Sequence, residues 1–133
     1  MKYFLDTNII SYFLKGMYPQ IKEHLTKVRR DSVFIPSIVA SEIEYGARKS
    51  FDYEKTIKVY RSFLDVFEVV PFDQASAREY GHLRSSLEKE GKAIGANDML
   101  IAATVLANGG ILVTNNVNEF ARVPGLKTEN WTL

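Results

Sequence analysis

The sequence predicts an α/β domain with a central, mainly parallel sheet. Three observations carry that prediction. Short apolar runs, Tyr3-Phe4-Leu5, Val33-Phe34-Ile35, Glu68-Val69-Val70 and Ile111-Leu112-Val113, recur along the chain, and near-continuous apolar runs mark strands covered on both faces. Segments of helical length and periodicity separate them, the order that parallel pairing requires because each crossover needs a dozen or more residues. The 133 residues are 46% hydrophobic and 25% charged, ordinary for one soluble domain. No linker, repeat or low-complexity tract divides residues 1–133.

Each element follows from local pattern. Tyr3-Phe4-Leu5 reads as a strand ending at Asp6, with a helix starting near Thr7. Residues 21–30 read as a helix from Ile21, Leu25 and Val28 at i, i+4 and i+7. The second strand stops at Pro36, and Ser37 opens a helix to about Lys49. Residues 53–66 form another, with Ile57, Tyr60, Phe63, Leu64 and Phe67 on its apolar side. After the Val69-Val70 strand, Asp73 starts a long helix to about Glu90, stopped by Gly91. Asn97 to Asn108 is a helix with Asn97 as its cap, ended by Gly109-Gly110. A short polar segment follows the Ile111-Leu112-Val113 strand, and Lys127 to Trp131 reads as an edge strand.

Composition excludes several classes of function. No apolar run approaches the roughly 20 residues of a membrane span. The first acid, Asp6, comes too early for the apolar region of a signal peptide, so the expected location is the cytoplasm. With no cysteine there is no disulfide, thiolate metal site or cysteine nucleophile, and two histidines make a histidine triad or cage an unpromising reading. A net charge of +1 makes no global case for nucleic acid. The distribution is uneven: residues 1–61 hold 11 Lys/Arg and 7 Asp/Glu, residues 62–133 hold 6 and 9. Such a pattern fits a phosphate-binding face or an ordinary solvated one.

In open parallel sheets the active site lies beyond the carboxyl ends of the strands. That rule directs attention to Asp6, to Ser37–Glu42 and to Thr114-Asn115-Asn116. Helical geometry puts Ile38, Val39, Glu42, Ile43, Tyr45 and Gly46 on one inward face, and leaves Glu44 in solvent where Arg48 can pair with it. A carboxylate on an inward face is costly unless something neutralises it. Glu42 therefore reads as a buried, hydrogen-bonded acid or as a functional one. Asp98 shares a face with Ile101, Ala102 and Val105 in the first helical turn, where the helix dipole alone would favour an acid. Asp6 fits an N-cap or Asx turn as well as a site. Together the three acids suit a hard divalent cation, which takes oxygen ligands, polarises a phosphodiester and activates water without a cysteine, histidine or lysine nucleophile.

These residues resemble the PIN-domain ribonucleases, and within them the VapC toxins of toxin–antitoxin pairs. The matching segments are Phe4-Leu5-Asp6-Thr7-Asn8, Ser41-Glu42-Ile43-Glu44-Tyr45-Gly46-Ala47, the stretch Ile94 to Ala103 that holds Asn97-Asp98, Leu112-Val113-Thr114-Asn115-Asn116, and the tail from Phe120 to Leu126 with Asn130-Trp131. They follow the family's order across essentially the whole chain. The resemblance implies a three-layer α/β/α PIN-like domain and a hydrolase: an Mg²⁺-dependent endoribonuclease, with Mn²⁺ able to substitute. Asp6, Glu42 and Asp98 would be its catalytic, metal-binding acids. It implies structured RNA such as tRNA or rRNA as substrate, a VapB-like antitoxin that occludes the site, a toxin homodimer, operator DNA reached only through the antitoxin, and no membrane. Many PIN domains carry a fourth acid near Asn116, which is neutral here, while Glu119 lies one helical turn further. The expectation is one tightly held ion in the free protein, with Asn116, Thr7, Thr114 and Glu119 as supporting residues.

Two basic clusters could contact RNA phosphates or be solvated helix faces: Lys27, Arg29 and Arg30, and Lys55, Lys58 and Arg61, the second helped by a Glu54–Lys58 pair. Tyr12, Phe13 and Tyr18 could stack on bases or pack in the core or an interface. The rival readings are an RNA-processing nuclease without an antitoxin, a non-catalytic RNA-binding module, and a phosphorylation receiver. The receiver needs a phosphoacceptor Asp at a central strand end, which Ile35-Pro36-Ser37 does not supply.

Overall fold

Five short segments form the sheet in the computed structural model, which describes residues 1–133: β1 (Tyr3–Leu5), β2 (Val33–Pro36), β3 (Glu68–Val70), β4 (Ile111–Val113) and β5 (Lys127–Glu129). Seven helices connect and cover them: α1 (Thr7–Leu14), α2 (Pro19–Lys27), α3 (Ser37–Lys49), α4 (Tyr53–Leu64), α5 (Gln74–Lys89), α6 (Ala96–Ala107) and α7 (Val117–Phe120). Strand order is β3-β2-β1-β4-β5, and every pairing is parallel. Phe4 lies opposite both Phe34 and Leu112, which fixes the register at the centre. Neighbours along a strand point to opposite faces. Phe4 and Leu5 on β1, and Leu112 and Val113 on β4, are all fully buried, so helices cover both faces and the architecture is α/β/α.

The chain runs outward from β1 through β2 to β3, then returns to the other side of β1 for β4 and β5. The order therefore reverses between β1 and β4, and a crevice opens at the carboxyl ends of those two strands. Helix α6 runs from the site into the core, with Met99, Ile101, Ala102, Ala103, Thr104 and Val105 all buried. Its burial anchors the acid in its first turn.

The structure moves several boundaries. Helix α2 is Pro19–Lys27, not 21–30, because Pro19 supplies a preorganised first turn; Arg30–Ser32 is a separate 3₁₀ turn. Helix α4 ends at Leu64. The polar segment after β4 contains the four-residue helix α7, held inward by fully buried Phe120. The edge strand is confined to Lys127–Glu129. Helix α6 is capped by extended Gly95, whose carbonyl accepts from Met99 N–H at 3.0 Å, and not by Asn97. Asn97 lies inside the helix, with its side-chain amide free for another partner.

Between α6 and β4 the backbone passes directly under the Phe4 ring. A Cβ at Gly110 would overlap that ring and stand 3.2 Å from the Lys2 carbonyl. Phe4 cannot yield readily, because it is stacked on Phe34 at 5.4 Å and fully buried. Gly110→Ala is expected to cost about 1–3 kcal/mol by overpacking. Urea unfolding monitored by circular dichroism measures it, and an unchanged midpoint would refute the close approach.

Candidate active site

Asp6 leaves the end of β1 and extends the sheet by one bond, its N–H donating to the Val113 carbonyl at 2.9 Å. Its side chain is 7% exposed. Oδ1 accepts from the Thr7 N–H at 2.9 Å, which caps α1, and Oδ2 accepts from the Thr114 hydroxyl at 2.8 Å. Thr114 follows β4 and is fully buried, so this bond spans the switch point between the two central strands. The local cap and the site position foreseen for Asp6 therefore coexist in one carboxylate. The Thr114 hydroxyl also accepts from the Asn116 N–H at 3.0 Å.

Glu42 reaches the same edge from α3. Its Oε1 accepts from the Thr7 hydroxyl at 2.6 Å, and its Oε2 accepts from the Asn97 amide at 3.4 Å. Asp98, in the first turn of α6, and Glu119, on α7, complete the group and flank Gly95, where a Cβ would stand 3.5 Å from Asp98 Oδ2 and 3.9 Å from Glu119 Oε1. Glu119 Oε1 accepts from the Gly95 N–H at 3.1 Å, and its Oε2 accepts from the Asn116 amide. Asp6, Thr7, Glu42, Asp98, Thr114, Asn116 and Glu119 thus meet at one edge of the sheet.

The electrostatics record that crowding. Burial pushes the Asp6 carboxyl above its ordinary range; its bonds to Thr114 and Thr7 offset part of that, and Glu42 and Glu119 add to it. Asp98 is pushed up to about 7, first by burial, then by its hydrogen bond to Glu119 and by the charges of Glu119, Asp6 and Glu42. Glu119 is held below its ordinary range, chiefly by the Gly95 N–H. Of the two, Asp98 is the carboxyl that takes up a proton first as pH falls. As they stand, no three of these carboxylates converge into a closed metal cage: Glu42 is drawn to Thr7 and Asn97, and Glu119 to Gly95 and Asn116.

Several sequence readings change. Glu44 is a surface acid as expected, its side chain 46% exposed, but its partner is not Arg48. It accepts from the Tyr53 hydroxyl at 2.8 Å and from Arg61 at 3.2 Å, tying α3 to α4, while Arg48 lies 3.7 Å over the Tyr53 ring. The buried stripe of α3 is Val39, Ile43 and Ala47, so Glu42 sits at its margin, and Tyr45 and Gly46 face solvent. Asn116 approaches the acids as a donor to Glu119; the fourth acid at this edge is Glu119. The spacing of three between them was the available signal, but it required knowing that 117–120 is helical. Arg29 pairs with Asp31, and with Arg30 it lines a cavity at the amino ends of β2 and β3, far from the acids. Glu54 and Lys58 form no ion pair. Tyr12 accepts from Asn115 at 3.1 Å and packs edge-on against Tyr18, while Phe13 packs on Phe63.

A family model described as the PIN domain matches residues 3–126. Ribonuclease VapC2 of Haemophilus influenzae is 39% identical over 131 residues, 98% of each chain. The tRNA(fMet)-specific endonuclease VapC of Shigella flexneri is 35% identical over 132 residues, 99% of each. Among solved structures, VapBC2 from Rickettsia felis bound to a promoter DNA fragment superposes with a TM-score of 0.93 at 38% identity, covering 98% of this chain and 99% of that one. VapBC-1 of nontypeable Haemophilus influenzae gives 0.92 at 32%, over 100% of both chains. The chain belongs to the PIN-domain family, on its VapC ribonuclease branch.

The crowded acids have a consequence for stability. Above about pH 5.5, a full unit beyond its ordinary value of 4.5, Glu119 is ionised whether the chain is folded or not, so its lowered value no longer matters there. Asp98, at about 7 when folded and 3.8 when not, then retains a proton that the unfolded chain has released. The folded state binds more protons, so stability falls as pH rises through that window. Without divalent cations, the melting temperature is expected to decline between about pH 5.5 and pH 8 and to decline less in Asp98→Asn. A wild-type profile that rises over the same range contradicts the assignment.

Proposed function

We propose that this protein is the toxin of a toxin–antitoxin pair, a divalent-cation-dependent endoribonuclease that hydrolyses phosphodiester bonds in structured RNA of the tRNA or rRNA class. The observation that carries the reading is the meeting of Asp6, Glu42, Asp98 and Glu119 at the switch point of a parallel sheet. Four acids gathered at one edge form a hard oxygen donor set, which suits Mg²⁺ or Mn²⁺ and offers nothing to a soft metal. Asp6, Glu42 and Asp98 would hold the ion, with Glu119 beside Asp98. When bound, the ion supplies charge to stabilise the pentavalent phosphate and lowers the pKa of its water.

The chain's own residues set the stage for this chemistry. Thr114 and the Thr7 N–H hold Asp6 in one rotamer with both oxygens oriented. Thr7 and Asn97 hold Glu42 at the rim, each through one carboxylate oxygen. The Gly95 N–H favours the ionised form of Glu119, and Asp98 is the carboxyl that keeps a proton into the neutral range. That proton must leave before Asp98 can ligate a cation, so metal affinity should rise with pH through the upper neutral range.

The partners follow from the relatives. The Rickettsia felis and Haemophilus influenzae structures are VapBC complexes, the former on promoter DNA. They support a VapB-like antitoxin for this chain; a toxin homodimer, operator DNA reached only through the antitoxin and a cytoplasmic location are parts of the same proposal. No helix is long and apolar enough to cross a membrane. The named activity of the Shigella flexneri relative supports tRNA as the substrate class.

Cleavage of total tRNA by the purified protein is expected to vanish in excess chelator and to return with Mn²⁺ or Mg²⁺. Undiminished cleavage in chelator would overturn the metal dependence. Asp6→Asn, Glu42→Gln and Asp98→Asn should each lower the rate by about a hundredfold or more with the fold retained. Glu44→Gln should keep wild-type cleavage and lose some stability, since Glu44 joins α3 to α4 away from the acids. A dead Glu44→Gln beside an active Glu42→Gln would reverse the assignment. Recovery of no small antitoxin from the native host, with an active nuclease, would favour the RNA-processing reading.

A further inference from the structure

A cleft runs from the acids between α1, α3 and α4, and neither the fold nor the acid chemistry accounts for it. Thr7 and Glu42 belong both to its inner end and to the acid group, so the two are continuous. Its volume, about 560 Å³, is that of a small-ligand site. Of its thirteen lining residues only five are apolar, which is a poor seat for an apolar helix. Lys15, at the end of α1, and Lys55, on α4, line it, and both are exposed.

Nearby cations are engaged elsewhere, Arg61 with Glu44, Arg48 over the Tyr53 ring and Lys49 over the Tyr45 ring. Lys15 and Lys55 pair with no acid. Two unpaired ammonium groups in a cleft that opens onto carboxylates fit a chain of phosphates leading to the site of hydrolysis. The walls are joined at one point by the Ser11–Tyr60 hydroxyl bond at 3.0 Å, and a cleft of about 560 Å³ has room for part of a single strand rather than for a duplex. Part of the basic face foreseen on the 53–66 helix thus acquires a role, through Lys55 alone, because Arg61 is held by Glu44.

We infer that the α1–α3–α4 cleft seats the single-stranded RNA segment flanking the scissile phosphate, with Lys15 and Lys55 as its phosphate contacts. The inference rests on the ribonuclease reading and deepens it. Lysine contacts to phosphate place the strand without reading its bases, so they act on binding and salt dependence rather than on sequence choice.

The test has two arms. The first measures cleavage of total tRNA with Mn²⁺ at several salt concentrations. Lys15→Gln and Lys55→Gln should each raise KM about fivefold with kcat little changed. Each should also reduce the slope of log kcat/KM against log salt by about 0.7, the share of one single-strand phosphate contact. Lys55→Arg should recover most of the loss, and Lys89→Gln, on the far end of α5, should match the wild type. The second arm uses fluorescence anisotropy of a labelled twelve-nucleotide single-stranded RNA, which needs no cleavage. The double lysine variant should bind it more weakly and with a shallower salt dependence. If the wild type cleaves no RNA in Mn²⁺, the ribonuclease reading fails, while the anisotropy arm still decides the cleft. Unchanged KM, salt slope and anisotropy in the double variant overturn the inference. So does a loss of antitoxin affinity with RNA binding intact, which would make the cleft a protein seat.

Discussion

The hydrogen bond from Thr114 to Asp6 is the contact on which the rest of the site depends. A carboxylate 7% exposed at the end of a buried strand is costly to keep charged. It is tolerated because two donors converge on it, one from its own helix start and one from the neighbouring central strand. The second donor exists only because β4 pairs with β1, in a register that puts Val113 opposite Leu5 and so sets Thr114 beside Asp6. Sheet topology thus becomes site chemistry through a single 2.8 Å bond.

Around that bond the structure assembles like charges and limits their repulsion by local means. Glu119 takes the backbone N–H of Gly95, the residue that also caps α6. A Cβ at Gly95 would stand 3.5 Å from the Asp98 carboxylate and 3.9 Å from that of Glu119, in ordinary contact with both, so this backbone turn lies directly against the two acids. Asp98 absorbs the remaining conflict by holding a proton. The acid group is consequently an arrangement under electrostatic load, relieved by protonation, by a divalent cation, or by a cationic side chain from a partner. A metal-dependent nuclease and an antitoxin that silences it would both act on the same load.

The cationic side of the protein is sorted just as strictly. Arg29 and Arg30 lie at the amino ends of β2 and β3, opposite the acids, and Arg61 and Arg48 brace α3 against α4. Only Lys15 and Lys55 are left unpaired in the cleft that opens from Glu42. Counting charges along the chain could not separate these roles, because each depends on which residue of another element stands opposite.

The sequence alone determined the α/β class and the location of the key acids, since apolar runs of strand length, helical periodicity and acids interrupting apolar faces are local patterns. It marked Asp6, Glu42 and Asp98 because a carboxylate beside buried residues is conspicuous without any knowledge of contacts. Folding decided what those acids touch. Asn97 follows the cap instead of serving as it, and so reaches Glu42; Glu119, not Asn116, becomes the fourth acid because buried Phe120 pulls residues 117–120 into a helical turn. Glu44 stays half exposed but pairs with Tyr53 and Arg61 because α4 folds back on α3. In each case the deciding partner lies on another element or is oriented by it, and a hydrogen bond between residues as far apart as Asp6 and Thr114 has no signature in either local sequence.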